Sequence, residues 1–318
     1  MASFEPRFSP DPQDDGGYED LTVPERCVLG LGRVVSELEV ERLGRLINEL
    51  NGEELCPELL SRFRTTQIFG QYTSQEVRVW QLVTSALSSP ERSEARAITV
   101  GRERLGITTD AIPDFSVLGA RLRECTGWDL AGIPGAIPSH LFAQLLSQRI
   151  LPVVIGVRRP DDEVSETTQA SDLRFIDQVI DTDIIQDVWA VMPLLTIEPV
   201  ADFLQGWGSL GHQAYLTRNF ERSVEAIEAL GTLFYFTIGH GVLVEGEGQR
   251  PCPWGAAFIG GDSEFSAEKS EVTPLCFDLA LEAEIPLRAV RPPRVFSLRR
   301  FTQLGSLISK FKSRFEIE

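Results

Sequence analysis

The sequence predicts a mainly α-helical fold carrying a few short β segments. Three observations predict it. Apolar residues recur at helical spacing through most of the chain, strand-like runs are few and short, and no internal repeat is visible. With 318 residues and 42% hydrophobic content, the chain can bury a substantial core as one large domain or two small ones.

Taken in order, residues 1–25 are rich in Pro, Asp and Gly and predict a disordered acidic arm. From Val34 to Leu60 the residues Val35, Leu38, Leu43, Leu46, Ile47 and Leu50 keep helical spacing. They predict two helices about an Asn51-Gly52 turn, a helical appendage over residues 26–68. Thr73 followed by Glu76 is a capping-box pattern, and the helix it opens carries Val77, Trp80, Leu82 and Val83. Further helices are expected at Ser116–Cys125, Ser139–Ser147, Asp172–Ile180 and Ile184–Val191. The longest helical run is Val200–Tyr215 and then Asn219–His240, with a break near Gly211. Strands are expected at Leu151–Val157, Ala256–Ile259 and Val295–Leu298. The stretch Phe301–Phe315 is amphipathic and basic, and reads as a packing helix; residues 69–305 form the main domain and 306–318 a C-terminal segment.

The net charge of −17 argues against a nucleic-acid partner, because a phosphate backbone calls for a basic footprint. Five cysteines stand without CxxC or CxxH spacing, so they predict neither a disulfide framework nor a zinc site. The N-terminus shows no apolar core of a signal peptide and no arginine cluster of a transit peptide. No run reaches the roughly 18 apolar residues that a membrane span needs. The expectation is a cytoplasmic protein with reduced thiols.

Eight landmarks then fall in order over roughly residues 70–305. They are Tyr72-Thr73 with Trp80, Ile112-Pro113-Asp114-Phe115, Thr126-Gly127-Trp128 with Ile133-Pro134-Gly135-Ala136-Ile137-Pro138, and Val157-Arg158-Arg159-Pro160. Asp183-Ile184-Ile185-Gln186-Asp187 through Val191-Met192-Pro193-Leu194-Leu195 follows, then Phe234-Tyr235-Phe236-Thr237-Ile238-Gly239-His240-Gly241, Trp254-Gly255-Ala256-Ala257-Phe258-Ile259, and Val295–Leu304. Together they resemble the catalytic domain of the pterin-dependent aromatic amino acid hydroxylases.

That family holds a non-haem Fe(II) on two His and one Glu, with positions left open for oxygen, and uses tetrahydropterin. The resemblance puts Gln186, Val191 and Gly239 at the three ligand positions. It therefore implies that the family's iron is not held here. It also implies that Arg158, oriented by Asp183, grips a substrate carboxylate in a charge-assisted fork. Tyr235 and Trp254 would wall an aromatic side chain, and Phe142 with Ser139 would meet a pterin if one is retained. Gly260-Gly261 stand where the family has paired serines, which predicts a wider pocket floor. For Arg158 and Asp183 the bland alternative is a structural ion pair, and for Phe142 it is plain core.

His240 follows the lost Glu position directly, and Gly239 beside it suggests a need for space. Two readings stay open. His240 either enters the vacated cavity as a general acid or base partnered by Asp187 or Glu264, or packs at the pocket edge on a backbone carbonyl. His240, Asp187, Gln186 and Asp262 are possible donors to a different metal, but no spacing rule makes them a set. The functional expectation is an Arg-anchored protein that acts on an aromatic or prearomatic amino acid by metal-independent acid/base chemistry in a biosynthetic pathway. The alternatives are a non-catalytic sensor of an amino acid or pterin, with a pathway partner docked through the N-terminal region, and a monooxygenase with a rebuilt metal site.

Overall fold

The computed structural model describes residues 28–29, 33–34, 65–89, 92–133, 137, 139–157, 183–216, 220–244, 250–260, 265–283, 285 and 292–316. Helices dominate, as expected. Helix α1 (Ser74–Leu87) starts on the expected capping box: Thr73 Oγ1 accepts from the Glu76 amide, and the Glu76 carboxylate accepts from the Thr73 amide. Helix α2 (Arg96–Leu105) ends on Gly106 in the left-handed region, φ 64°. Helix α3 (Phe115–Thr126) is capped by Asp114, whose carboxylate accepts from the Ser116 amide, and it stops at Gly127, φ 73°.

Strands β1 (Val28–Leu29) and β2 (Arg33–Val34) pair antiparallel, so the helix expected to begin at Val34 does not begin there. The remainder of that appendage, the acidic arm and the helix expected at Asp172–Ile180 lie outside the described residues. Strands β3 (Asp129–Ile133) and β4 (Ile150–Val154) pair in parallel, Asp129 facing Ile150 and Ile133 facing Val154. Parallel strands need a crossover, and α4 (Ser139–Ser147) lies within it.

A π-helix over Ile185–Val191 follows, then α5 (Met192–Leu194) and the long α6 (Glu198–Leu216). Helix α6 runs unbroken through Gly211, where a break was expected. The glycine serves packing instead: a Cβ there would sit 3.0 Å from the Cβ of Ala143 on α4. Helix α7 (Phe220–Phe234) passes into a second π-helix, Tyr235–Gly239.

Strands β5 (Val242–Leu243), β6 (Cys252–Pro253), β7 (Glu271–Pro274) and β8 (Arg294–Leu298) form a sheet in the order β6-β5-β8-β7. Ala256–Ile259, expected as a strand, is a helical turn, α8. The Gly255 carbonyl accepts from the amides of Phe258 and Ile259, and the Ala256 carbonyl from Gly260, which closes the turn. A four-residue apolar run fits either structure, and periodicity cannot separate them. Helices α9 (Phe277–Glu282) and α10 (Leu304–Phe315) complete the described chain.

One cluster of apolar side chains runs through the domain, with Trp80, Trp128, Trp207 and Trp254 all but fully buried in it. Helix α10 buries Leu304, Leu307 and Phe311 while Lys310, Lys312 and Arg314 stay in solvent, the packing helix that its pattern predicts. Among the described residues no helix is long and apolar enough to cross a membrane.

Candidate functional site

The two π-helices carry the site. A π-turn adds one residue to a helical turn and displaces a carbonyl from its usual partner, a device that recurs at functional sites. In the first, Asp183 opens the turn: its Oδ1 accepts from the Gln186 amide at 2.9 Å and its carbonyl from the Asp187 amide at 3.0 Å. The turn closes when the Met192 amide donates to the Asp187 carbonyl. In the second, the His240 amide donates to the Tyr235 carbonyl at 2.8 Å, five residues back.

Helix α8 bridges them. At its end a Cβ on Gly260 would lie 2.9 Å from the Ala190 Cβ and 3.3 Å from the Gln186 Cα. At its start Gly255 abuts the carbonyl of Gly239. Four helical residues span about 6 Å, so both π-turns flank one short element. Gly260 therefore seats α8 against the first π-helix. Gly261 lies outside the described residues.

Asp187 is 2% exposed and its Oδ2 accepts from the Val154 amide of β4 at 2.8 Å. Burial pushes its carboxyl up to about 8; the neighbouring Asp183 charge adds to the rise and the Val154 hydrogen bond opposes it. Burial thus favours the protonated form of Asp187. His240 is 7% exposed. Burial draws its imidazole down to about 4, against a smaller opposing effect of the Tyr235 carbonyl. Its Nδ1 lies 3.3 Å from that carbonyl. A carbonyl only accepts, so the neutral ring carries its proton on Nδ1 and its lone pair on Nε2. The ring tilts 34° to the Tyr235 ring at 4.2 Å between centroids and meets Phe258 edge-on at 5.0 Å. Burial raises the Tyr235 phenol well above its usual range.

The sequence reading placed Asp187, Asp183, Tyr235 and His240 in one site. The structure brings Asp183 to Asp187 and Tyr235 to His240, each pair across one π-turn, with α8 between the pairs. No hydrogen bond joins Asp187 to His240 among the described residues; the Asp187 carboxylate turns to β4 instead. Trp254 is fully buried, packed on Gly241 and edge-on to Phe301 at 5.2 Å, so it supports the second π-turn from beneath. Arg158 and Glu264 lie outside the described residues, as does the Ser139 side chain. Phe142, half-buried, meets Trp207 and Phe234 edge-on at 6.1 and 6.4 Å, the packing of a core aromatic.

At the three positions that the family resemblance assigns to iron ligands stand an amide, an isopropyl group and no side chain. Val191 is 2% exposed within the apolar core. Gly239 is not held by packing: a Cβ there would meet only the Phe234 carbonyl, at an ordinary 3.6 Å. Space for a side chain exists at 239. Valine and glycine offer no side-chain donor, so these residues do not fit the family's metal. Among the described residues no group of three or more His, Cys, Asp or Glu is placed to hold a metal ion.

One support was not foreseen. Arg102 of α2 is 7% exposed, lies 4.5 Å over the Trp189 ring, and donates to the Trp189 carbonyl at 3.2 Å while ion-paired to Glu94. It engages a backbone carbonyl of the first π-helix from behind. In sequence Arg102 looks like any helix-surface cation.

No family model matches the chain. Among curated proteins, it is 28% identical to phenylalanine-4-hydroxylase of Pseudomonas aeruginosa over 226 residues, 71% of this chain and 75% of that protein. It is 28% identical to the Chromobacterium violaceum phenylalanine-4-hydroxylase over 181 residues, 56% of this chain and about half, 54%, of that protein. Its fold is that of the C. violaceum phenylalanine hydroxylase bound to cobalt, with a TM-score of 0.67 at 20% identity over 90% of this chain and 95% of the other. The cold-active phenylalanine hydroxylase of Colwellia psychrerythraea matches with a TM-score of 0.65 at 20% identity, over 80% and 94% of the two chains.

Proposed function

The chain belongs to the aromatic amino acid hydroxylase family, and on that premise we propose that it acts on an aromatic or prearomatic amino acid by proton transfer, without the family's iron. One observation carries the reading. The Nδ1 of His240 faces the Tyr235 carbonyl, which selects the Nδ1-protonated tautomer of a ring set in a buried aromatic wall of Tyr235 and Phe258. A neutral imidazole so oriented is a general base whose tautomer is set in advance.

Asp187 is assigned the complementary role of acid, a carboxyl on the other π-turn that burial pushes up to about 8. Two titratable groups pushed in opposite directions by burial divide the roles of base and acid between them. Proton transfer, elimination, decarboxylation or cyclisation would suit such a pair, since none requires an oxidant. Arg158 is assigned to the substrate carboxylate, with Asp183 as the group that orients it. Gln186, Val191 and Gly239 take no part in metal binding in this reading.

The test is consumption of aromatic and prearomatic amino acids, followed by mass spectrometry. His240→Ala should abolish turnover and leave ligand-dependent thermal stabilisation intact, whereas Arg158→Ala should weaken that stabilisation. Stabilisation by a ligand that wild-type protein never converts would instead support a non-catalytic sensor.

A further inference from the structure

Helices α4 and α6 pack face to face. On α4 the facing stripe is His140, Ala143, Gln144 and Ser147, at spacings of three, four and seven; on α6 it is Leu204, Gly208, Gly211, His212 and Tyr215. Two glycines set how close they come. A Cβ on Gly208 would lie 2.7 Å from the Ala143 carbonyl oxygen and from the Leu146 Cβ, and one on Gly211 would lie 3.0 Å from the Ala143 Cβ. Running antiparallel from these contacts, the stripes bring His140 and Gln144 of α4 against His212 and Tyr215 of α6. The His140 and Tyr215 rings meet edge-on at 6.0 Å, and the His140 imidazole senses the charge of His212.

His140 is 5% exposed, and neither of its ring nitrogens has a hydrogen-bond partner. One turn along the same face, Gln144 is 3% exposed and its Oε1 is equally without a partner. Buried polar atoms are seldom left so, because each loses its hydration and recovers nothing. Three such atoms lie on one stripe of α4, and the packed helix α6 carries a second imidazole, His212, close enough to act on His140. This set shares no residue with the π-turn site, and none of its four side chains belongs to the acid/base chemistry proposed above.

We propose that His140 and His212, with Gln144 Oε1 as a third donor, hold a divalent first-row transition-metal ion between α4 and α6. Imidazole is a preferred ligand for zinc, nickel and copper(II), and the Gln144 oxygen is the weaker third donor of the set. Ligands must bind as the neutral imidazole, and burial keeps His140 neutral, lowered to about 4 with His212 adding to the effect. Tyr215 lies at the edge of the same set. A metal here clamps α4 to α6 and so fixes the helix that carries Phe142 and the start of the β4 crossover.

The direct test titrates cobalt(II) and zinc into the full chain after chelator treatment, reading cobalt d–d absorption and thermal midpoint. One saturable equivalent is expected, with a rise in midpoint from linkage. His140→Ala and His212→Asn should each weaken binding by about tenfold or more, and Gln144→Leu by a smaller factor. His212 is only half-buried, so its variant keeps the test decisive should His140→Ala fail to fold. Absence of saturable binding in wild-type protein, or binding that survives His212→Asn unweakened, overturns the proposal.

Discussion

His240 and His140 are both buried and both drawn down to about 4, yet they sit in opposite circumstances. His240 has a carbonyl at Nδ1 and aromatic rings around it; His140 has two ring nitrogens with nothing to bond. Burial is the main cause that draws both rings towards the neutral form. Partners decide what each neutral ring is for. The carbonyl at Nδ1 sets the tautomer of His240 and suits it to the base role proposed here, while the lack of any partner suits His140 to the proposed metal.

The largest expected difference between them is kinetic. His240→Phe should lower turnover of the cognate amino acid by roughly 100-fold or more, the usual worth of a general base, with ligand binding little changed. His140→Phe should leave turnover near wild type. Equal losses in the two variants would show that the histidines are not functionally distinct.

Stability gives the next contrast. Gly260→Ala should cost about 1–3 kcal/mol by overpacking, since its Cβ would press on Ala190. Gly239→Ala should stabilise by about 0.5–1 kcal/mol through backbone entropy, since space is free there. Chemical denaturation of both variants checks this. A smaller shift is expected for His140→Leu in chelator-treated protein: replacing an unsatisfied buried polar ring by an apolar one should be neutral or stabilising by about 1 kcal/mol.

The pH dependence of stability, again in chelator-treated protein, gives a further contrast. His240 and His140 have folded values near 4, below the ordinary 6.5. Their contribution is present above 6.5 and lost as pH falls from there to 4. Asp187 is raised from 3.8 to about 8, so its contribution is present below 3.8 and lost as pH rises towards 8. Two groups outweigh one between pH 4 and 6.5, and Asp187 alone acts above that. The thermal midpoint should therefore peak near pH 6.5, and Asp187→Asn should remove the decline on the alkaline side.

Much of the fold could be read from residues alone where local chemistry and periodicity agree. Thr73 and Glu76 announce α1, and the Val200–Tyr215 run announces α6. Ala256–Ile259 misled because a four-residue apolar run has no period. Gly211 misled because a helix-interior glycine can serve a neighbour instead of breaking its own helix. At the candidate site, the family landmarks singled out Asp183, Asp187, Tyr235 and His240, which stand at the two π-turns. The link from Asp187 to the Val154 amide and the Arg102 support under Trp189 depend on tertiary contacts 33 and 87 residues apart in sequence. No local pattern records such contacts. The same holds for His140 and His212, which look unremarkable until two glycines bring their helices together.

The account rests most heavily on acid/base chemistry without iron. The decisive measurement is consumption of a panel of aromatic and prearomatic amino acids by chelator-treated protein in the absence of oxygen. The account predicts that one substrate is consumed at an undiminished rate and that His240→Ala abolishes its loss. Consumption that requires added iron and oxygen would contradict it.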